Sequence, residues 1–351
     1  MKSRSYYSYT NTLNVLSSLF GEIVKRRRRW YDRHASARRR LACPVISVGS
    51  LSVGGSGKTP VVAHLAKLLV GRGECPAILS RGYGRKDSTD GVVVVRDEEG
   101  VQASLARAGD EPLMLARNLD DVRVVVAPDR YLAGRLAEMR LGCSVHLLDD
   151  GFQHIQLDRD IDLLVMHSDE FENPQLLPFG RLREPLETAA RADALLVSGD
   201  MSGTQKAIIE RLQLSRIYQM QRVSDVPRST DSGKRPVSLT ASSRILAIAG
   251  IAKPDRFFSE IETFGGTVVR SLAFADHREF TQQDIVKITD LVRALRIDLV
   301  LTTEKDYVRL ERYQPFAFNV ATVPLRIEIK EEGEFLSWIT SRLAATREQR
   351  K

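Results

Sequence analysis

Six consecutive residues, Gly54-Gly55-Ser56-Gly57-Lys58-Thr59, follow a short apolar run, Pro44 to Val48, and lead into Pro60 and a helical pattern. Glycines let successive backbone N–H groups curl around phosphate oxygens, and the helix N-terminus that follows favours anions. Lys58 has the reach for the β- and γ-phosphates, and the Thr59 hydroxyl is the usual ligand of Mg²⁺. The strict spacing of such a loop wants glycine at position 52, where this chain has Ser52. The context of strand, glycine turn and helix still reads as a phosphate-binding loop, with Gly54 to Pro60 as the nucleotide-binding residues.

Phosphate chemistry also needs a carboxylate for the metal. Asp149 and Asp150 end the apolar run Ser144 to Leu148 about 90 residues later, the usual place of the second metal-coordinating acid. Asp-Asp-Gly is also a common turn composition. Gly109-Asp110-Glu111-Pro112 puts two acids just before a helical pattern. Asp110 is either a helix cap or the carboxylate that orients and deprotonates an attacking alcohol. Ser80-Arg81-Gly82-Tyr83-Gly84-Arg85 is a basic, glycine-rich turn after another apolar run. Arg130 and Arg183 stand in loops, each suited to a phosphate or to solvent. His277 lies between Asp276 and Arg278, and a carboxylate neighbour tunes an imidazole. The block Thr302 to Asp306 closes a strand pattern without a chemistry readable from spacing.

These residues need a scaffold that presents loops side by side. From residue 44 onward, short apolar runs alternate with helical patterns. Strands are expected at Val45–Val48, Ala77–Ser80, Val92–Val95, Val122–Ala127, Val145–Leu148, Leu163–Val165 and Ala194–Val197. Helices are expected at Val61–Leu69, Glu111–Asn118 and Tyr131–Met139. Continuous apolar runs suit strands buried on both faces, and the alternation predicts a doubly wound, mostly parallel α/β sheet. Such sheets bind ligands beyond the carboxyl ends of their strands. Residues 224–243 have the Ser, Thr, Pro and Gly content of a linker. A second alternation follows, with strands at Ile245–Ala249, Thr267–Ala273 and Leu299–Thr302 and helices at Pro254–Phe264 and 281–295. The division expected is an N-terminal segment 1–40, a P-loop domain 41–223, a linker 224–243 and a smaller α/β domain 244–351.

The net charge of +7 is concentrated at one end. Residues 1–40 hold eleven Lys or Arg against Glu22 and Asp32, a surplus of +9, so residues 41–351 carry −2. Leu13, Leu16, Phe20 and Ile23/Val24 follow helical spacing, with Val15 and Leu19 beside them. The segment is too polar to span a bilayer. An amphipathic helix lying at an anionic membrane surface fits the pattern. So do a helix packed on the protein's own core, a nucleic-acid arm, and an organelle transit peptide. Cys43, Cys75 and Cys143 are far apart with no CxxC, so neither a metal centre nor a disulfide framework is expected.

Nine ordered blocks resemble the tetraacyldisaccharide 4′-kinase family, the lipid A 4′-kinases: VGGSGKTP (53–60), LSRGYGR (79–85), GDEP (109–112), APDR (127–130), LLDDGFQH (147–154), LLPFGRLREP (176–185), AGIAKPDRFF (249–258), FADHREF (274–280) and LTTEKD (301–306). The family's loop carries Ser or Thr where Ser52 stands, and usually Asn where this chain has Ser50. The resemblance implies a P-loop NTPase-like fold and ATP- and Mg²⁺-dependent phosphorylation of the 4′-hydroxyl of a tetraacylated glucosamine disaccharide 1-phosphate. It implies a peripheral protein on the cytoplasmic face of the bacterial inner membrane, with a lipid acceptor and no nucleic-acid partner. Lys58 and Thr59 match the loop residues, and Asp149 and Asp150 the metal-side acids. Asp110 matches the catalytic Asp and His277 its partner. Tyr83, Glu111, Arg130, Gln153, His154 and Arg183 match substrate-side residues. Two other classes compete: a membrane-recruited P-loop ATPase switch, and a nucleic-acid-dependent NTPase using the Arg tract.

Overall fold

A computed structural model describes residues 2–87, 91–231 and 233–350, with side chains from residue 13 onward. The chain opens with helix α1 (Lys2–Arg33). It then builds β1 (Val45–Gly49), α2 (Lys58–Val70), β2 (Pro76–Ser80), β3 (Val93–Arg96), α3 (Leu105–Ala108), α4 (Asp110–Asn118), β4 (Arg123–Val126), α5 (Arg130–Arg140), β5 (Val145–Asp149), β6 (Ile161–His167), β7 (Ala194–Ser198), α6 (Gly203–Arg211) and β8 (Ile217–Ser224). β1, β2, β5 and β7 are buried along their whole length. Their continuous apolar runs therefore sit in the middle of the sheet, with helices on both faces. β3 alternates buried and half-buried residues, and it pairs antiparallel with β4 at one edge.

The second unit contains β9 (Arg228–Ser229), β10 (Arg244–Ala249), α7 (Pro254–Glu262), β11 (Thr267–Ala273), α8 (Gln282–Ala294), β12 (Leu299–Thr303), α9 (Glu304–Leu310) and β13 (Val320–Val323). These strands form a five-stranded sheet in the order β11-β10-β12-β13-β9. α8 is started by a capping box in which the Thr281 and Asp284 side chains bond each other's backbone N–H, a local stop-and-start signal worth about 1 kcal/mol.

Two features differ from the expected division. Part of the 224–243 segment, expected as a linker, is the edge strand β9, which pairs antiparallel with β13. The segment 244–351 does not stay in the second sheet. After β13 the chain returns as β14 (Leu325–Ile329) and α10 (Glu332–Gln349). β14 pairs antiparallel with β8, completing a nine-stranded first sheet ordered β14-β8-β7-β6-β1-β5-β2-β4-β3. The cause is apolar burial. Ile327 and Ile329 alternate inward along β14, and Phe335, Ile339 and Leu343 recur every four residues along α10. All five join the core that contains Tyr218 and Met220 of β8.

The topology sets the site. β1 lies between β5 and β6, and the register pairs Val48 with Asp149. The loop after β1 and the acids ending β5 therefore emerge together at the carboxyl end of the sheet. α2 holds the loop by burying Val61, Val62, Leu65, Ala66 and Leu69, at about 1.5–3 kcal/mol for each large side chain.

Candidate active site

The phosphate wall is local. Gly57 is the cap of α2 with φ +91°, a left-handed conformation that suits glycine. Pro60 stands in the first turn of α2, where its missing N–H costs no helical bond. Lys58 Nζ lies 3.1 Å from Ser56 Oγ and 3.5 Å from Ser50 Oγ, and 3.6 Å from Asp150 Oδ1. The Thr59 hydroxyl donates to Asp149, 3.3 Å from each carboxylate oxygen. Asp149 is buried, and burial pushes its carboxyl up to about 7, with Glu111 and Asp150 adding like charge and Lys58 opposing. A divalent cation beside Thr59 and Asp149 would supply the positive charge that this buried carboxylate lacks, so the donor set fits Mg²⁺. Asp150 sits at φ +53°. Arg183 holds it with two bonds of 2.8 Å. Burial opposes its charge, but Arg183 and Lys58 keep the carboxyl below its usual range.

The facing wall is assembled from distant segments. Gly109 caps α4 at φ +87°, and any Cβ there would stand 2.8 Å from the Tyr83 carbonyl. That close approach seats the Arg81–Gly84 turn against Asp110. Asp110 is the first helical residue rather than the cap, and one oxygen accepts from Glu111 N at 3.0 Å. The other oxygen lies 2.9 Å from His277 Nδ1, across 167 residues of sequence. His277 is held at φ +57°, a conformation uncommon outside glycine, with His among the residues that tolerate it best. Lys305 Nζ lies 3.1 Å from His277 Nε2, 3.1 Å from Glu111 and 3.4 Å from Asp276. Burial works against the Asp110 charge. The His277 hydrogen bond and the cations Lys305 and Arg309 nonetheless hold its carboxyl below the usual range. Asp110 in turn raises the His277 imidazole above its ordinary value, against burial and Lys305.

Both walls line one cleft of about 1260 Å³, bounded by the phosphate loop, Tyr83, Glu111, Asp149, His277 and Lys305 among others. A nucleotide-phosphate loop thus faces, across this space, the half-buried imidazole of His277, with the Asp110 carboxylate bonded behind it. Comparison with known proteins agrees. Residues 9–344 match the family model for tetraacyldisaccharide-1-P 4′-kinase. The tetraacyldisaccharide 4′-kinase of Koribacter versatilis is 38% identical over 333 residues, covering 93% of this chain and 97% of that protein. The corresponding enzyme of Syntrophus aciditrophicus is 36% identical over 92% of this chain and 90% of its own. The crystal structure of LpxK from Aquifex aeolicus in complex with ATP superposes with a TM-score of 0.78 at 31% identity, over 95% of this chain and 99% of that one. This chain belongs to the tetraacyldisaccharide-1-P 4′-kinase family. It is an ATP-using phosphotransferase of lipid A biosynthesis that acts on the 4′-hydroxyl of a tetraacylated disaccharide 1-phosphate.

The fold brings the expected site residues of the kinase together, in differing situations. Tyr83 is exposed and meets His277 edge-on at 5.6 Å between ring centroids. Glu111 pairs with Lys305. Arg130 is buried, donates to Pro128 O at 3.0 Å and is depressed to about 10, by burial first and Arg81 second. Gln153 donates to Ser50 O at 3.0 Å, bracing the loop ahead of the glycines. His154 is driven down to about 4 by burial and by Arg130, so it is neutral. Sequence spacing gave no sign of Lys305, nor of its support. Asp306 accepts from Thr303 Oγ1 at 2.6 Å and Gly250 N at 3.0 Å, and pairs with Arg309. Arg309 reaches to 4.0 Å from Asp110. The Thr302–Asp306 block is therefore the far-side brace of the Asp110–His277 pair. A polar run closing a strand was its one signal.

Proposed function

We propose that Asp110 is the general base of the 4′-kinase reaction. It accepts the proton of the sugar 4′-hydroxyl, whose oxygen then attacks the γ-phosphorus of ATP as the bond to the β–γ bridging oxygen breaks and ADP leaves. His277 orients the Asp110 carboxylate, and Lys305 fixes the imidazole from its other side. Lys58 and the loop N–H groups draw charge from the β- and γ-phosphates, which is where a phosphoryl-transfer enzyme gains most. Thr59 and Asp149 are the residues that would hold Mg²⁺, which neutralises phosphate charge when bound. Asp150, clamped by Arg183, has its charge already satisfied, so Asp149 is the nearer metal ligand of the two. Arg130, depressed by burial yet still cationic at neutral pH, suits the acceptor's negative charge. Tyr83, Glu111, Gln153 and His154 shape the acceptor side of the cleft. Closure of the second unit on the first would exclude water, the competing acceptor.

The reading rests on the 2.9 Å contact between Asp110 and His277, which joins the two units at the cleft. Its test is transfer of labelled γ-phosphate from ATP to a tetraacylated disaccharide 1-phosphate in detergent micelles. Label should enter the lipid, and should be lost with Lys58→Ala and Asp110→Ala. ATP hydrolysis without labelled lipid would favour the ATPase-switch class instead.

The kinase is further proposed to work as a peripheral protein on the cytoplasmic face of the inner membrane, with an anionic lipid surface as partner. Val15, Leu16, Leu19, Ile23 and Trp30 are exposed on α1. At about 100° per residue they share one arc roughly 100° wide. The opposite face, with Ser17, Gly21 and Arg28, is the docked one. Ser17 Oγ lies 3.0 Å from Leu176 O and Arg28 pairs with Glu184. Leu13, Phe20 and Val24, expected on the apolar stripe, are half-buried at its margin. Among the described residues no helix is long and apolar enough to cross a membrane. An apolar arc with Arg26 within it and Arg27 and Arg29 at its two edges suits an interfacial helix. Leu19→Glu with Ile23→Glu should abolish flotation with anionic vesicles while preserving ATP binding. Unchanged flotation would refute the surface assignment.

A further inference from the structure

Cys43 and Cys143 are 100 residues apart in sequence, yet the fold places them side by side at the amino end of the first sheet. Cys43 stands just before β1, and Cys143 just before β5. Cys43 Sγ lies 3.3 Å from the Cys143 carbonyl. His146, wholly buried on β5, has both ring nitrogens 3.9 Å from Cys143 Sγ. The two sulfurs and the imidazole all fall within 4.8 Å of one another. Glu138 of α5 stands behind the group, with Oε1 at 3.2 Å from His146 Nε2 and 2.8 Å from the Cys43 N–H.

We propose that Cys43, Cys143 and His146 form a binding site for a thiophilic divalent cation of the Zn²⁺ class, with Glu138 orienting the imidazole from behind. The chemistry of the set is selective: two thiolates and an imidazole suit Zn²⁺ and disfavour Mg²⁺ and Ca²⁺. The dimensions agree. Zn–S bonds of about 2.3 Å and Zn–N bonds of about 2.0 Å put tetrahedral ligand atoms roughly 3.4–3.8 Å apart; Cys143 Sγ stands 3.9 Å from both ring nitrogens, so binding would turn the imidazole until one nitrogen faces the ion. The competing explanation is that the cysteines merely fill space as small hydrophobes. That accounts for each thiol singly but not for two thiols and an imidazole within 4.8 Å of one another; Glu138 satisfies the imidazole in the absence of an ion. Cys43 remains half-exposed, which gives an ion an entry. Binding would convert two thiols to thiolates with release of their protons.

The site is separate from the phosphate chemistry. The glycine loop follows β1 and Asp149 ends β5, whereas the cysteines precede those same five-residue strands, so roughly 15 Å of strand intervenes. A cation there would tie the starts of β1 and β5 to α5, stabilising the sheet without entering the reaction.

The test uses the reduced, full-length kinase after dialysis against a chelator. Titration with Co²⁺ should give thiolate-to-metal charge-transfer absorption that saturates at one equivalent and is displaced by Zn²⁺. Zn²⁺ should also raise the melting temperature. Cys43→Ser should lose the absorption, the thermal shift and more than about tenfold in affinity, the loss that even outer-shell partners typically cause. Cys75→Ser should behave as wild type. Should Cys43→Ser fold poorly, Glu138→Gln serves: it keeps both thiolates, so the absorption persists while affinity drops. No charge-transfer band in wild type would overturn the site, as would a Cys43→Ser spectrum matching wild type. Cobalt bound only at the Asp149 carboxylate would give no thiolate band and would likewise count against it.

Discussion

The phosphate-facing wall of the cleft comes from one stretch, Gly54 to Thr59, and one neighbouring strand end, Asp149 and Asp150. The wall opposite draws on four segments in two units: Tyr83 and Asp110 from the first, His277 and Lys305 from the second. The first wall is fixed by a parallel register, Val48 beside Asp149, and by a helix cap. The second is fixed by side-chain contacts spanning up to 194 residues and by a left-handed histidine at φ +57°. A wall made of backbone holds nucleotide whether or not the units close. A wall made of long-range side-chain bonds is complete only when they do. On the proposed roles, binding and turnover fall to different walls, and substitutions should separate them.

The largest effect is expected from Asp110→Ala. Removing the base should lower turnover by about 10²–10⁴, with ATP affinity within about threefold because Asp110 makes no contact in the phosphate loop. Steady-state transfer to lipid and equilibrium ATP binding measure the two quantities. Loss of ATP binding on the same scale would move Asp110 to the nucleotide wall and erase the contrast.

His277→Ala should be next. A hydrogen bond to a charged group is worth about 1.5–3 kcal/mol, so turnover should fall by roughly 10–100-fold. The pH profile is the sharper readout. His277 is the largest influence holding the Asp110 carboxyl down against burial. Without it the carboxyl ionises at higher pH, and the acid limb of kcat/KM moves upward. A merely structural histidine would lower the plateau and leave the limb in place. Lys305→Met should act in the same direction and less strongly, about tenfold, since it bears on Asp110 through charge and through the imidazole.

The same contrast governs what was legible in the sequence. The phosphate loop was readable because its chemistry is contiguous, and Ser52 departs from the strict pattern without harm. Its hydroxyl donates to Glu170 at 2.8 Å, a role glycine could not fill. Asp110 and His277 could be paired only through family resemblance, since nothing in GDEP or FADHREF says which distant residue each will meet. Lys305 went unread for the same reason. So did the nearness of Cys43, Cys143 and His146, which parallel strands bring together from distant strand starts. The alternation in Leu325–Ile329 announces a strand but not which sheet it joins. The exposed edge of β8 and the apolar face of α10 decided that.

Tyr83 offers the smallest effect and the finest division of the second wall. Its ring meets His277 edge-on and is otherwise exposed. An aromatic pair of this kind is worth about 0.5–1.5 kcal/mol beyond its buried area, so Tyr83→Ala should cost between about twofold and tenfold. If the ring serves only to steady the imidazole, the loss falls on kcat and Tyr83→Phe restores it in full. If the ring also covers the disaccharide, KM for the lipid rises in Tyr83→Ala while ATP affinity is untouched. A change in ATP affinity is the outcome that contradicts both readings. It would mean that the two walls are coupled through the Gly109–Tyr83 contact, where a carbonyl leaves no room for a Cβ.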